Sequence, residues 1–162
     1  GGRRVRKATA NRRDSSLAQK EMESMEKTAS LIGRIFLAHI FLIAGTTKIT
    51  GYAGTQGYME SMGVPGMLLP LVILVEIGGA LALILGWQTR WAALGLAGFT
   101  ILTALFFHTN FAEQTQMIMF MKNIAMTGGL LYVAAYGAGA WSLDARRAHK
   151  HGHGQHSQSP AM

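Results

Sequence analysis

The chain has 162 residues, of which 49% are hydrophobic and only 14% charged, and its formal net charge at pH 7 is +7. This balance disfavours a soluble globular domain. The absence of cysteine excludes disulfide bonds, thiolate metal sites, cysteine-ligated iron–sulfur clusters and any thiol relay carried by this chain. A redox role would therefore need a cofactor that does not depend on cysteine ligands from this chain.

The basic residues flank the apolar part of the chain. Of the fifteen Lys and Arg, eight precede Ser30 and three follow Trp141. Basic flanks of this kind meet anionic lipid headgroups, and they favour a membrane over a nucleic acid. We therefore expect membrane lipids as partners and no binding to nucleic acid.

Four apolar segments each approach the ~20 residues that cross a hydrocarbon core of ~30 Å. They lie at about 31–49, 64–85, 91–107 and 119–140. The predicted fold class is an all-α membrane protein, a four-helix transmembrane bundle that forms one domain over 31–144. A basic, disordered segment at 1–30 is expected before it, and a His-rich flexible tail at 145–162 after it.

The first two segments are imperfect. The uncharged run 35–47 is short, and the flanking Arg34 and Lys48 are expected to extend their charges towards opposite interfaces. A signal peptide is a competing interpretation. We disfavour it because the basic segment before the apolar run is unusually long, and because no small-x-small cleavage site precedes Thr46. In the second segment, Pro70 is expected to start or kink the helix.

Lys and Arg in the connections predict the orientation. The connections 50–63 and 109–118 contain none, whereas the connection 86–90 contains Arg90 and both flanks of the bundle are basic. Both ends of the chain and the connection 86–90 are therefore predicted to be cytoplasmic.

The first thirty residues are polar and Arg-rich, with at most a short helix from Ser15 to Lys27. The chain begins with Gly, and Met22 and Met25 stand just before the first apolar segment. We expect the natural start at one of these methionines, and a disordered cytoplasmic tail is equally compatible with the sequence.

The other tail is rich in histidine and glycine. Such tracts bind transition metals, but incidental affinity is the favoured interpretation because no fixed geometry or supporting partner is implied. The weak candidate ligands are His149, His151, His153 and His156.

Ionisable side chains within the spans are functional candidates, because each costs at least ~2.5 kcal/mol near the middle of a membrane helix. At 1.5 Å per residue, His39 and Glu76 share a level, ~12 and ~14 Å from the cytoplasmic end. Side chains expected near the outer face form one polar cluster: Lys48, Lys122, Asn123 and His108. Haem ligation by His39 and His108 is disfavoured because their depths differ by ~12 Å.

Glu76 has three interpretations: a proton-accepting carboxylate, a partner of a basic group, or a polar contact inside the bundle. We favour the ion pair, because an unpaired charge at that depth is expensive. The candidate partners are His39, Lys48 and Lys122. A pair with His39 would form a proton or quinone-headgroup contact.

Small residues are expected to bring helices close together. Gly78, Ala82 and Gly86 form a small-x-x-x-small row, and Gly128 with Gly129 is expected to interrupt the fourth helix. Neither GxGxxG nor GxxxxGK[ST] occurs, so nucleotide chemistry is not supported.

Four sequence blocks in order resemble the DoxX family of small bacterial membrane proteins, and especially its YqjF-like inner-membrane branch. Arg34 is followed by AGTTKITGYAGT, and then come YMESMGVPG, VEIGGALALILGWQTR, and FMKNIAMTGG with GAGAWSLD. The resemblance runs from about 31 to 144 and implies a four-helix fold in the bacterial inner membrane. The positions that match the family pattern are Arg34, Gly45, Lys48, Glu76, Gly79, Gly86, Arg90, Lys122, Asn123, Ser142 and Asp144.

His39 and His108 lie outside that pattern, which shifts the expected partner of Glu76 towards Lys48 or Lys122. The family is named from a subunit linked to thiosulfate oxidation with quinone reduction, and some members are associated with membrane redox assemblies. The resemblance therefore implies an accessory role in redox or quinone-linked metabolism, with a quinone as a possible cofactor and other membrane or redox subunits as partners. The alternatives are a small transporter or proton pathway, and a stabilising subunit of a larger complex. A homo-oligomer is possible with each role.

Overall fold

A computed structural model describes residues 2–154 of the chain and the side chains of residues 11–150. This part is helical and contains no β-strand. Its helices are α1 (Gly2–Thr50), α2 (Tyr52–Ser61), α3 (Leu69–Leu85), α4 (Thr89–Phe107), α5 (Gln114–Tyr136) and α6 (Leu143–Gly154), and a 3-10 turn at Gly66–Leu68 precedes α3.

Four of the described helices are long and apolar enough to cross a membrane. They are α1, α3 with its preceding 3-10 turn, α4 and α5. The predicted all-α fold with four spans is confirmed. Pro70 lies in the first turn of α3, where its missing N–H costs no helical hydrogen bond, so it starts this helix without kinking it.

The first helix is far longer than the span predicted at 31–49, because α1 runs without a break from Gly2 to Thr50. Residues 3–32 contain neither glycine nor proline, and helix formation is cooperative, so a polar segment joined to an apolar helix extends it at little cost. Lys27 forms an ion pair with Glu23, with 3.5 Å between Nζ and Oε2. The structure therefore differs from the disordered segment expected at 1–30.

Two further helices lie outside the predicted spans. The connection 50–63 contains α2, and α6 occupies the beginning of the tail that was expected to be flexible. His149 is exposed on α6. The side chains of His151 and His153, and all of His156, lie outside the described residues.

The bundle is built from two helix pairs. Helix α1 packs along α3 and α4 packs along α5, whereas the contact between α3 and α4 is smaller and that between α1 and α5 is slight. The buried core between the pairs consists of small and aliphatic side chains with one phenylalanine: Ala38, Phe41, Ala80, Leu83, Ala93, Leu96, Ala97 and Leu130. Many large apolar side chains point outward, as lipid-facing surfaces require.

Three glycines mark where helices approach closely. A Cβ atom added at Gly79 would lie 2.8 Å from Cγ of Leu96, and one at Gly129 would lie 3.1 Å from Cδ2 of Leu37. Gly45 plays the same part between α1 and α3, beside Ile77.

Gly78 and Gly128 have open space where a Cβ would stand, at least among the residues the structure describes. The predicted row is therefore wrong at Gly78: neighbouring helical residues point about 100° apart, so Gly79 takes the packed position and Gly78 faces outward. Gly128 and Gly129 do not interrupt α5, since a glycine costs a helix only ~1 kcal/mol.

Arg34 enters the bundle, contrary to the expected extension towards the interface. Its side chain is only 1% exposed. Nη1 donates to the carbonyl of Leu83 at 2.9 Å, and Nη2 donates to the carbonyl of Trp141 at 2.6 Å. The last carbonyls of a helix lack intrahelical partners and carry partial negative charge, so the end of α3 provides a site for the guanidinium group.

Asp144 caps the start of α4 from a distant part of the chain. Its Oδ2 accepts hydrogen bonds from the N–H and the hydroxyl of Thr89, and its Oδ1 accepts one from the N–H of Gln88. Partial burial acts to raise the pKa of Asp144, but the hydrogen bonds from Thr89 and Gln88 outweigh it and lower this pKa below its ordinary value. We call this region, formed by Arg34, the connection 86–88 and residues 137–145, the Arg34 end.

Replacing Gly79 should test the packing between α3 and α4. Gly79→Val is expected to lower the free energy of unfolding by about 2 kcal/mol, because its methyl groups would overlap Leu96. Gly78→Val is the matched control, since its side chain has open space and should change stability little. Thermal unfolding in detergent measures both, and equal losses would contradict the assigned packing.

The cap at Asp144 predicts a pH dependence of stability. Because the folded pKa is lowered, the charged carboxylate stabilises the fold above the unfolded pKa of about 4, and this stabilisation is lost as the pH falls through the folded pKa. Asp144→Asn is expected to unfold about 1 kcal/mol more easily at pH 7. The difference in stability between the unaltered protein and Asp144→Asn should disappear in melting curves recorded below about pH 4. A difference that does not change with pH would contradict this role.

Candidate functional site

A buried ion pair joins the two helices of the first pair. Nζ of Lys48 on α1 lies 2.8 Å from Oε1 of Glu76 on α3, and the side chains are 25% and 5% exposed. Lys48 also donates to the carbonyl of Ala44, at 3.4 Å. Gly45 brings the helices together here, because a Cβ at this position would lie 2.6 Å from Cγ1 of Ile77. The structure thus selects Lys48 from the three candidate partners.

The second carboxylate oxygen of Glu76 is buried without a hydrogen-bond partner among the described residues. Buried carboxylate oxygens normally accept hydrogen bonds, and each one left unsatisfied costs free energy. Glu76 lines a cavity of about 700 Å³ that reaches all five helices from α1 to α5. We call this space the Lys48 cavity. Its lining is mostly aliphatic and aromatic, and each of the five helices also contributes at least one polar group.

The polar groups of the Lys48 cavity offer both donors and acceptors. The hydroxyl of Thr100 donates to the carbonyl of Leu96 at 2.7 Å, and that of Thr103 donates to the carbonyl of Thr100 at 2.9 Å. With their protons used within α4, these hydroxyl oxygens serve as acceptors. Lys48 supplies donors, so a bound molecule would meet both kinds of partner.

Helix α2 covers the cavity at the end of the bundle where α1 finishes. Met59 of α2 is buried, and the ring of Tyr58 stacks on Phe107 of α4 with 5.6 Å between centroids. Both α2 residues line the cavity. Hydropathy did not reveal this helix, although the flanking Gly51 and Gly63 are a signal that could have delimited it. Gly63 has a positive φ of 78°.

The predicted polar cluster comes together only in part. Lys122, Asn123 and His108 all line the Lys48 cavity, but Lys122 is exposed. Asn123 donates to its own helix at the Met119 carbonyl, and Nδ1 of His108 lies 2.8 Å from Oε1 of Gln116. These three side chains therefore stand around the ion pair without joining it.

Two predicted residues lie away from the cavity. His39 is exposed and its ring nitrogen bonds to the carbonyl of Phe36 on its own helix, so the proposed pair with Glu76 is wrong. His39 and Lys48 are nine residues apart, and nine steps of 100° place them on opposite sides of α1. Arg34 shares the side of Lys48 but belongs to the Arg34 end.

Among the described residues, no group of three or more His, Asp or Glu side chains has an arrangement that would hold a metal ion. The polar groups of the Lys48 cavity are instead suited to hydrogen bonding with an organic molecule.

The sequence is similar to one protein family and to two curated proteins. The sequence model of the DoxX family matches residues 29–109. The chain is 55% identical over 123 residues to inner membrane protein YqjF of Escherichia coli (strain K12), which covers 76% of this chain and 95% of that protein. It is 39% identical over 123 residues to inner membrane protein YphA of the same organism, covering 72% of this chain and 88% of that protein. No solved structure matches the chain significantly.

The ion pair predicts an asymmetric response to mutation. Lys48→Met is expected to lower the free energy of unfolding by about 3 kcal/mol, because it leaves the Glu76 carboxylate buried without its cation. The double variant Lys48→Met with Glu76→Gln should recover much of that loss, since the charge is gone. Lys122→Met is the control, because Lys122 is exposed. Unfolding in detergent measures these three variants and Glu76→Gln alone, and a double variant as unstable as the sum of its two single changes would contradict the pairing.

Proposed function

Since the chain belongs to the DoxX family and is a multi-pass protein of the bacterial inner membrane, we propose that it acts as an accessory component of quinone-linked redox metabolism. In this proposal, the Lys48 cavity binds the headgroup of a quinone or quinol. The observation that supports it most directly is the buried oxygen of Glu76, which has no partner among the described residues, in a side chain that lines an apolar cavity.

The ion pair suits both redox forms of such a ligand. A quinol hydroxyl would donate to the carboxylate of Glu76, and a quinone carbonyl would accept from Nζ of Lys48. Each is a hydrogen bond to a charged group, which contributes about 1.5–3 kcal/mol in a protein. Because Nζ of Lys48 lies 2.8 Å from Oε1 of the carboxylate, one ring substituent could contact either charged group.

The rest of the cavity suits the ring. A volume of about 700 Å³ lies within the range of ~300–1,000 Å³ typical of small-molecule sites. Phe99 and Phe107 contribute aromatic surface, and Val72 and Val75 contribute aliphatic surface. Such walls exclude water and strengthen the hydrogen bonds at the charged end.

The chain's own chemistry agrees with an accessory role. It has no cysteine, so it brings no thiol relay or cysteine-ligated cluster, and the electrons would come from another subunit or substrate. A bound quinone supplies two-electron, two-proton chemistry. The part of this protein would be to hold and orient the headgroup.

Direct binding tests the proposal. Purified protein in lipid nanodiscs is titrated with a radiolabelled, tetrasubstituted benzoquinone that carries a decyl chain, and with its quinol. We expect both to bind. Glu76→Gln should weaken quinol binding, and Lys48→Met should weaken quinone binding, each by about ten- to a hundredfold. Glu113→Gln, an exposed change at the start of α5, should bind like the unaltered protein.

Other results would favour the alternative roles. If neither form binds, or if both cavity variants bind like the unaltered protein, the proposed headgroup site is wrong. Reconstituted vesicles distinguish the rivals: a proton or solute flux lost in Glu76→Gln would indicate a transport pathway. Mass spectrometry after gentle detergent purification identifies copurifying lipids and subunits.

A further inference from the structure

Resting on the proposed headgroup site, we infer that the ligand of the Lys48 cavity carries an apolar tail and enters sideways from the bilayer between α3 and α4. The carbonyl and hydroxyl groups of the ligand would then face Lys48 and Glu76, and its tail would leave through this opening into lipid. This assigns an entry route and a tail-binding surface to the cavity.

The opening is marked by residues that line the cavity and yet remain exposed. Leu71 of α3 is 56% exposed, and Leu102 and Phe106 of α4 are 55% and 54% exposed. All three line the Lys48 cavity. A side chain that does both stands at the edge of the cavity, so the wall is incomplete where α3 faces α4.

Two of the contacts that hold α3 and α4 together lie towards the Arg34 end. There, Gly79 packs against Leu96, and the cap of Asp144 on Thr89 fixes the start of α4. Leu71 lies two turns before Gly79, and Leu102 lies nearly two turns after Leu96, so both belong to the half of the bundle nearer α2. The opening therefore lies in the half of the bundle away from these two contacts.

The chemistry of the opening selects the ligand class. The exposed edge residues on α3 and α4 are aliphatic or aromatic, and they belong to helices that span the membrane. A water-soluble solute would have to leave its hydration shell to pass there, whereas a lipid-soluble molecule already lies in the hydrocarbon layer. The route therefore admits a molecule with a small polar head and an apolar chain.

The other sides of the cavity are less suited to entry. At the α2 end, Met59 is buried, and Tyr58, an edge residue that is 48% exposed, is held by stacking on Phe107. Between α1 and α5, the edge residues Ile40 and Met119 are less exposed, at 39% and 37%. The charge of Lys122 also stands on that side.

Single cysteines can test the route, because the chain contains none of its own. Leu71→Cys and Leu102→Cys place a thiol at the opening. Leu74→Cys and Leu105→Cys are matched controls, since these residues are on the same helices and exposed but do not line the cavity. Ile40→Cys samples the side between α1 and α5.

Each variant is modified in detergent either with a methylthio group or with a bulky maleimide, and then placed in nanodiscs. Binding of the radiolabelled decyl-benzoquinone is followed over time by rapid filtration. The bulky group should slow association at least severalfold at positions 71 and 102, relative to the methylthio group, and leave positions 74 and 105 unaffected. A benzoquinone with the same ring substituents and a methyl group in place of the decyl chain should bind more weakly to the unmodified protein.

The outcomes separate this inference from the headgroup site. If the unmodified protein binds the decyl-benzoquinone but blocking positions 71 and 102 changes nothing, the route is wrong and the headgroup site stands. If blocking position 40 alone slows association, entry occurs between α1 and α5, which overturns the inference. If the unmodified protein binds no quinone, the proposed function itself fails.

Discussion

A carboxylate within the hydrocarbon layer must pair with a basic group of the protein, because lipid tails offer it neither hydration nor hydrogen bonds. Glu76 pairs with Lys48. The close packing of α1 on α3 at Gly45 is what makes the contact possible, and the contact in turn fixes the rotation of both helices about their axes. Lys48 and Glu76 both line the Lys48 cavity. The packing of α1 on α3 therefore determines both the shape of this part of the wall and the position of its charged groups.

The two ends of the bundle treat polar groups differently. At the Arg34 end, the guanidinium group and the Asp144 carboxylate bind the carbonyls and N–H groups that helix ends leave unsatisfied. Around the Lys48 cavity, one oxygen of Glu76 stays without a partner within the described chain. Nε of Arg34 is also buried without a partner among the described residues, so the unpaired group is a donor at the Arg34 end and an acceptor beside the Lys48 cavity.

Hydropathy was sufficient to predict four spans, though not where the first begins, and charge content pointed to Glu76 and Lys48. Depth along the axis was a poorer guide to pairing: it placed His39 level with Glu76, although the angle between His39 and Lys48 on α1 was available from their spacing. The burial of Arg34 could not be predicted, because its partners are backbone carbonyls that α3 and residue 141 bring together. Helix α2 is short and not strongly apolar, and its position depends on tertiary contacts such as that of Tyr58 with Phe107.

The unbroken course of α1 has a mechanical consequence. Arg34 and Lys48 are fourteen residues apart on one unbroken helix, which fixes their separation along the axis at about 21 Å. Each is bound to α3, so neither can slide relative to that helix without losing its partner. When the bilayer thickens or thins, α1 and α3 therefore have to tilt together as one body, since neither can stretch.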